Sequence, residues 1–384
     1  MPMMDFKSSE TQYLLTVLRS AVQGEKAPEP LRDMDWESFL ELSKRREVCS
    51  IVAQTVDFKY LPADIAGELN DYSKSELVRL IAMQNELKAI ESELRKNEIN
   101  YMLLKGAVIR NYYPKQSMRQ MSDIDILYDP DKRDILIDMM DSRGYTLVSD
   151  GGNSDDFNKK PYYTFEFHRE LFKDVYGFCP DFSFVWDHAE PSSENPFEYI
   201  MSAEDLYLHH VAHMYKHYIF GGFGIRFIVD TYLILKHAGE SMNRDYISKK
   251  LAEMRLTDFE EEVRRFSFSL LENRPLTDEQ REFFNTVLAY GIYGSNKTNV
   301  DEAYKNYKSN TGGGSFGYLF SRIFPSAAQM KSIYPILKKH PVLLGFYYIK
   351  RLFVKSFSSK EKVKNEVRAV KQMEKEQKNK NRGK

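Results

Sequence analysis

The feature that most limits how this chain can fold is the short run Ser122-Asp123-Ile124-Asp125-Ile126-Leu127-Tyr128. Acidic and apolar residues alternate there with a period of two. A β-strand sends successive side chains to opposite faces, so this period predicts a strand with one wet face and one buried face. Ile124 and Ile126 anchor the buried face, while Asp123 and Asp125 project together from the other. Two carboxylates held that close repel each other unless a cation lies between them. A hard divalent ion with oxygen ligands, such as Mg²⁺, suits the pair.

The surrounding pattern places this strand in a small α/β unit. Ile99 to Leu104 reads as a buried strand, followed by Lys105-Gly106-Ala107 and a short helix that Pro114 ends. After the acidic strand, Asp129-Pro130-Asp131 starts a helix that runs to about Arg143, where Gly144 stops it. Tyr145–Val148 and Tyr162–His168 predict two more strands, separated by a polar loop over 150–160. In Thr164-Phe165-Glu166-Phe167-His168 the same alternation puts Glu166 and His168 on one face and the phenylalanines on the other. If this strand pairs with the acidic strand, Glu166 completes a three-carboxylate cluster. It would then bind a second metal ion or take a proton from an acceptor hydroxyl. Upstream, Gly106 sits where a strand turns into a helix, a place where backbone N–H groups bind phosphate. Lys105 and Arg119 add positive charge nearby.

Helical periodicity flanks this core on both sides. Trp36, Phe39 and Leu40 open one helix, and a long one spans Pro62 to about Asn97 with Leu77, Leu80, Ile81, Leu87, Ile90 and Leu94 on its apolar face. Beyond Ala203 helices are expected through about residue 290. The fold class is therefore α+β: a small mixed sheet with helices between N-terminal and C-terminal helical regions. The expected organisation is a helical region over 1–97, an α/β core over 98–200 and a helical substrate- or nucleotide-side domain over 201–295. Loop and helices over 296–354 and a basic, lysine-rich tail over 355–384 complete it.

The net charge of -1 over 384 residues exerts no global pull on nucleic acid or membranes, so only the tail argues for weak contact with anionic lipid or nucleic acid. The start lacks an export signature and no apolar run reaches the ~20 residues of a spanning helix. A cytoplasmic protein is expected, with Cys49 and Cys179 as reduced packing residues.

His209, His210, His213 and His217 fall on one predicted helix. Their i,i+4 spacing suits a metal, but no Glu follows the first His and no cysteine lies near. Two readings stay open for His213 and His217: packing with satisfied ring nitrogens, or facing the cleft with His168, Lys216, Arg226 and Asp230 as substrate contacts.

Taken together, Lys105-Gly106-Ala107, Tyr112-Tyr113-Pro114, Arg119 followed by Ser122-Asp123-Ile124-Asp125-Ile126-Leu127, and Glu166-Phe167-His168 resemble the polymerase-β-type nucleotidyltransferase superfamily. The resemblance is to its uncharacterised bacterial branch. It implies a nucleotidyltransferase sheet, two Mg²⁺ ions, and transfer of a nucleoside monophosphate from an NTP, with ATP the first expectation, to a small-molecule or protein acceptor. It further implies that Asp123, Asp125 and Glu166 are catalytic metal ligands, with Lys105, Gly106, Ala107, Arg119 and Ser122 at the nucleotide phosphates. The superfamily's usual element is Gly-Ser or Gly-Gly, and Ala107 departs from it by lacking a hydroxyl. Two other classes stay open: a nucleotide-binding or regulatory protein with weakened turnover, and a glycosyltransferase whose Asp-x-Asp holds a metal with a nucleotide-sugar.

Overall fold

A computed structural model describes Phe6, 8–30, 34–149, 153–161, 163–173, 178–220, 223–289, Leu337 and 340–349. The glycine-rich segment 296–317 and the basic tail 355–384 lie outside the described residues. The chain forms two compact units. The larger comprises Phe6–Tyr218 and Gly224–Asn285, and the smaller comprises Met1–Asp5, Ile219–Phe223 and Thr286–Lys384. Described residues of the smaller unit include a 3-10 turn at Pro341–Leu343.

The larger unit is α+β. It opens with α1 (Ser9–Val22), α2 (Trp36–Arg45), α3 (Cys49–Thr55) and α4 (Ala63–Lys96). The core continues as β1 (Tyr101–Leu103), α5 (Lys105–Ile109), β2 (Ile124–Tyr128), α6 (Arg133–Ser142), β3 (Thr146–Ser149), β4 (Ser154–Lys159) and β5 (Tyr163–His168). After α7 (Val185–His188), β6 (Glu190–Pro191) and β7 (Glu198–Ile200), the chain returns to helices: α8 (Ala203–Phe220), α9 (Ile225–Ala238), α10 (Arg244–Met254), α11 (Thr257–Leu271) and α12 (Asp278–Ala289).

The strands build one mixed sheet in the order β3-β4-β5-β2-β1-β7-β6. β2 lies at its centre, antiparallel to β1 and parallel to β5. One face of the sheet is apolar. Ile124, Ile126 and Tyr128 of β2 join Phe165 and Phe167 of β5, Phe157 of β4, and Leu136, Met139 and Met140 of α6 in a single buried cluster. Met83, Leu87, Ile90 and Leu94 of α4 close it from above. Burying such side chains contributes roughly 1.5–3 kcal/mol each, which fixes the register of β2.

Three sequence expectations change. The acidic strand has no wet face, because every residue of β2 is buried, Asp125 included. The stretch 150–160 is not wholly a loop: Ser154–Lys159 is a full strand, β4, paired antiparallel to both β3 and β5. Its polar sequence hides an alternation in which Asp155 and Phe157 are buried. Finally, α4 is not packed along its whole apolar face. Ile65 and Leu69 bury one end, and the residues from Met83 to Leu94 bury the other. Leu77 and Ile81 between them stay about half exposed. A straight helix of 34 residues is about 50 Å long and outruns the small sheet beneath it.

Candidate active site

β2 and β5 run parallel with Asp125 opposite Glu166 and Leu127 opposite His168. Glu166 and His168 alternate with Phe165 and Phe167, which lie in the apolar cluster, so their side chains leave the sheet on the opposite face. That brings ligand atoms of Asp125, Glu166 and His168 within 4.8 Å of one another. His168 Nε2 lies 2.8 Å from Asp125 Oδ1 and 3.7 Å from Glu166 Oε2. Asp123, one residue before β2, is half-buried, and its carboxyl is pushed upward by burial and by the charge of Asp125.

Lys105 reaches the same centre from β1. The Leu104 N–H donates to the Asp125 carbonyl, and the chain then turns sharply at Lys105, whose φ is 44°. A side chain in this left-handed region costs about 1–2 kcal/mol. The turn returns the Lys105 ammonium to the Asp125 carboxylate, with which it forms an ion pair. Burial alone would push the Asp125 carboxyl up, but Lys105 and the hydrogen bond from His168 outweigh it and hold it well below the usual range. Glu166 feels the Lys105 charge too, but more weakly than it feels burial and Asp125. Burial and the neighbouring Asp125 push it up to about 8. It also shares its face with Asp156 of β4, opposite it in the sheet, a carboxylate hidden from sequence reading by the misassigned loop.

Gly106 follows Lys105 in α5. A Cβ there would overlap the Arg119 guanidinium and lie 3.1 Å from Met121 Sδ. That guanidinium cannot easily give way, because Asp230 of α9 holds it at both ends. Nε donates to Oδ1 at 3.0 Å and Nη2 to Oδ2 at 2.8 Å. The Tyr113 hydroxyl donates to the same Asp230 at 2.7 Å. All three residues are buried. The structure thus gives Arg119 and Asp230 to each other and to the turn beneath Gly106. Ala107 is buried in the apolar cluster with Ile124 and Ile126, so its side chain faces the core. Ser122 is exposed, and its carbonyl accepts from Arg79 Nη2 at 3.1 Å.

Helices α8 and α9 supply the remaining groups. Arg226 Nη1 donates to the Gln120 carbonyl at 2.9 Å and pairs with Glu47 Oε2 at 3.2 Å. Glu47, just past α2, is a carboxylate that sequence reading missed, and no spacing in the chain ties it to Asp123. On α8, His213 and His217 meet through their Nε2 atoms at 3.1 Å. His209 and His213 are pushed well below the usual imidazole range by burial and by Lys105, and His217 falls to about 3 by burial and Lys216. These histidines are neutral. Lys216 adds its positive charge to His168, His213 and His217. His210 turns elsewhere, to the Thr231 hydroxyl at 2.9 Å.

Asp125, Glu166 and His168 on two paired central strands, beside a strained turn at Lys105, form the candidate site. The chain belongs to a family described as uncharacterised nucleotidyltransferase, whose model matches residues 32–272. No curated protein matches it. The matched span ends just past α11 and includes every residue named in the site. No described helix is long and apolar enough to cross a membrane.

Proposed function

We propose that the protein is a polymerase-β-type nucleotidyltransferase that moves a nucleoside monophosphate from an NTP to an acceptor hydroxyl on a small molecule or a protein. The observation that carries this reading is the register of β2 against β5, which sets Glu166 beside Asp125 on one face. The donor set fits a divalent cation. Asp125, Glu166 and His168 offer atoms within 4.8 Å of one another, and the Lys105 ammonium already holds positive charge against Asp125. Asp123 and Asp125 would hold Mg²⁺, with Glu166 at a second ion, and bound ions would supply charge neutralisation at the triphosphate.

The acceptor oxygen forms a bond to the α-phosphorus, the bond from that phosphorus to the bridging oxygen breaks, and pyrophosphate leaves. Glu166 takes the acceptor proton. Burial and Asp125 push that carboxyl up, and a bound cation would bring it back down to the carboxylate that accepts the proton. Lys105 binds a phosphate oxygen, and Gly106 lets the turn that carries it pack close against the Arg119 guanidinium. Lys216 and Arg226, whose charges act on His168 and Asp123, contact nucleotide or acceptor together with His213 and His217. The Arg119–Asp230 pair holds the turn beneath Gly106 in place.

Incubation with each labelled NTP, Mg²⁺ and cell extract as an acceptor pool tests the reading. Label transfer to a discrete acceptor is expected from the wild-type chain. The D123N/D125N variant should keep its circular dichroism spectrum and lose both transfer and metal-dependent NTP binding. Transfer at the wild-type rate by that variant would overturn the assignment.

A further inference from the structure

We propose that His168 is itself a metal ligand through Nε2, and that Asp125, Glu166 and His168 hold a divalent transition ion such as Mn²⁺ in preference to Mg²⁺. The inference rests on the carboxylate centre proposed above and deepens it by distinguishing two cation positions. Asp123 and Asp125 offer only oxygen, which suits Mg²⁺. The second position adds an imidazole nitrogen, which suits Mn²⁺, Co²⁺ or Zn²⁺ far better.

The geometry is already close to that of a bound ion. Ligand bonds of about 2.1–2.2 Å set adjacent donors roughly 3 Å apart and opposite donors roughly 4.3 Å apart. His168 Nε2 stands 2.8 Å from Asp125 Oδ1 and 3.7 Å from Glu166 Oε2. The three donors lie within 4.8 Å of one another, and an ion among them takes the place that the Lys105 ammonium holds on Asp125 Oδ1. The ring is also held from behind, since His168 Nδ1 lies 3.3 Å from Asn153 Nδ2. The Asn153 amide nitrogen also donates to the Glu170 carbonyl at 2.9 Å, which leaves Nδ1 as an acceptor and the ring proton on Nε2, facing Asp125; an ion at Nε2 takes that place and the proton moves to Nδ1. His168 is 5% exposed and sits in the middle of the sheet, between β4 and β2, so it is built into the fold rather than resting on its surface.

Direct ion binding to the full chain, without nucleotide, tests the proposal. Titration with Mn²⁺, following the free ion by electron paramagnetic resonance, should give a site at least ten-fold tighter than Mg²⁺ measured by competition. The H168Q variant should lose Mn²⁺ affinity by about 10–100-fold while its Mg²⁺ affinity changes less than about three-fold. Equal losses for both ions would overturn the proposal, because His168 would then act only by orienting Asp125. Absence of Mn²⁺ binding to the wild-type chain would overturn it as well. Should H168Q fail to fold, spin-echo modulation from a ¹⁴N nucleus at Mn²⁺ bound to the wild-type chain decides instead: imidazole modulation is expected, and its absence overturns the proposal. Selective Mn²⁺ binding without nucleotide transfer would sink the enzymatic reading and leave this one standing.

Discussion

Two buried charge clusters lie close together in the larger unit, and they are built on opposite principles. Around Asp230, every strong group has its match: the two ends of the Arg119 guanidinium meet the two carboxylate oxygens, and the Tyr113 hydroxyl adds a third donor. Burial alone would push the Asp230 carboxyl up, yet Arg119 outweighs it and the net shift is downward. Around Asp125, one ammonium and one neutral imidazole must serve two carboxylates. Asp125 takes both partners, and Glu166 meets the same imidazole at 3.7 Å, beyond hydrogen-bond length. The first cluster is satisfied and therefore holds the fold. The second is short of positive charge and therefore has a use for a cation.

The largest expected effect breaks the satisfied cluster. D230N leaves the buried Arg119 charge without its counterion, and such a loss costs about 3–5 kcal/mol. Denaturant unfolding should show it as a lower midpoint. The double variant R119M/D230L, which removes both charges together, should recover most of that loss. If D230N unfolds at the wild-type midpoint, the pair is not the scaffold described here.

Breaking the unsatisfied cluster should do the reverse. E166Q is expected to reduce nucleotidyl transfer by about 10²–10³-fold, equivalent to roughly 3–4 kcal/mol in the barrier. Its stability should match or exceed that of the wild-type chain at pH 8, because a neutral amide does not repel Asp125. Steady-state transfer rates and thermal unfolding of the same sample check both halves.

That contrast explains what could be read from the chain alone. Alternation exposed β2 and β5 because Ile124, Ile126, Phe165 and Phe167 stand out against polar neighbours. The same alternation placed Asp125, Glu166 and His168 on a shared face once the strands were paired. The satisfied cluster was illegible as a unit. Tyr113 and Asp230 are 117 positions apart and nothing local joins them. Arg119 drew attention as a phosphate contact and Asp230 as a substrate contact, and neither as the other's partner. β4 was lost because Ser154, Asp155, Asp156, Asn158 and Lys159 read as a loop, although Asp155 is fully buried with Arg133, Arg169 and the Tyr128 hydroxyl as partners. Polar residues satisfied across space carry no periodic apolar signal.

The next effect is smaller and depends on pH. The folded chain holds a proton on Glu166 up to about pH 8, while the unfolded chain releases it near 4.5. The stability that this proton contributes is complete below the unfolded value and is lost as pH rises through the folded one. Neutral histidines work in the opposite sense on the acid side: with His210 at about 4 and His217 at about 3, the unfolded chain takes up protons below pH ~6.5 that the folded chain refuses. The informative quantity is therefore a difference. The melting temperature of E166Q minus that of the wild type should be near zero at pH 5 and positive by pH 8.5. Saturating divalent cation should shrink it, since the ion takes over the role of the proton. A flat difference across this range would show that Glu166 is not strained by Asp125.

The smallest effect tests how complete the satisfied cluster is. Y113F removes the hydroxyl-to-carboxylate bond but leaves Asp230 both contacts with Arg119. Oδ1 still accepts from Arg119 Nε at 3.0 Å, so the carboxylate loses one donor without becoming unpaired. A loss of about 1 kcal/mol is expected from such a change, against the much larger loss in D230N. The Tyr113 ring stays in place, and no cavity larger than the missing oxygen opens. Transfer activity should hold within about two-fold, because Arg119 keeps its position under Gly106 and the turn at Lys105 is unaltered. A Y113F loss close to that of D230N would instead mean that the hydroxyl fixes the carboxylate for Arg119, and that the cluster acts as one cooperative network rather than as an ion pair with an added donor.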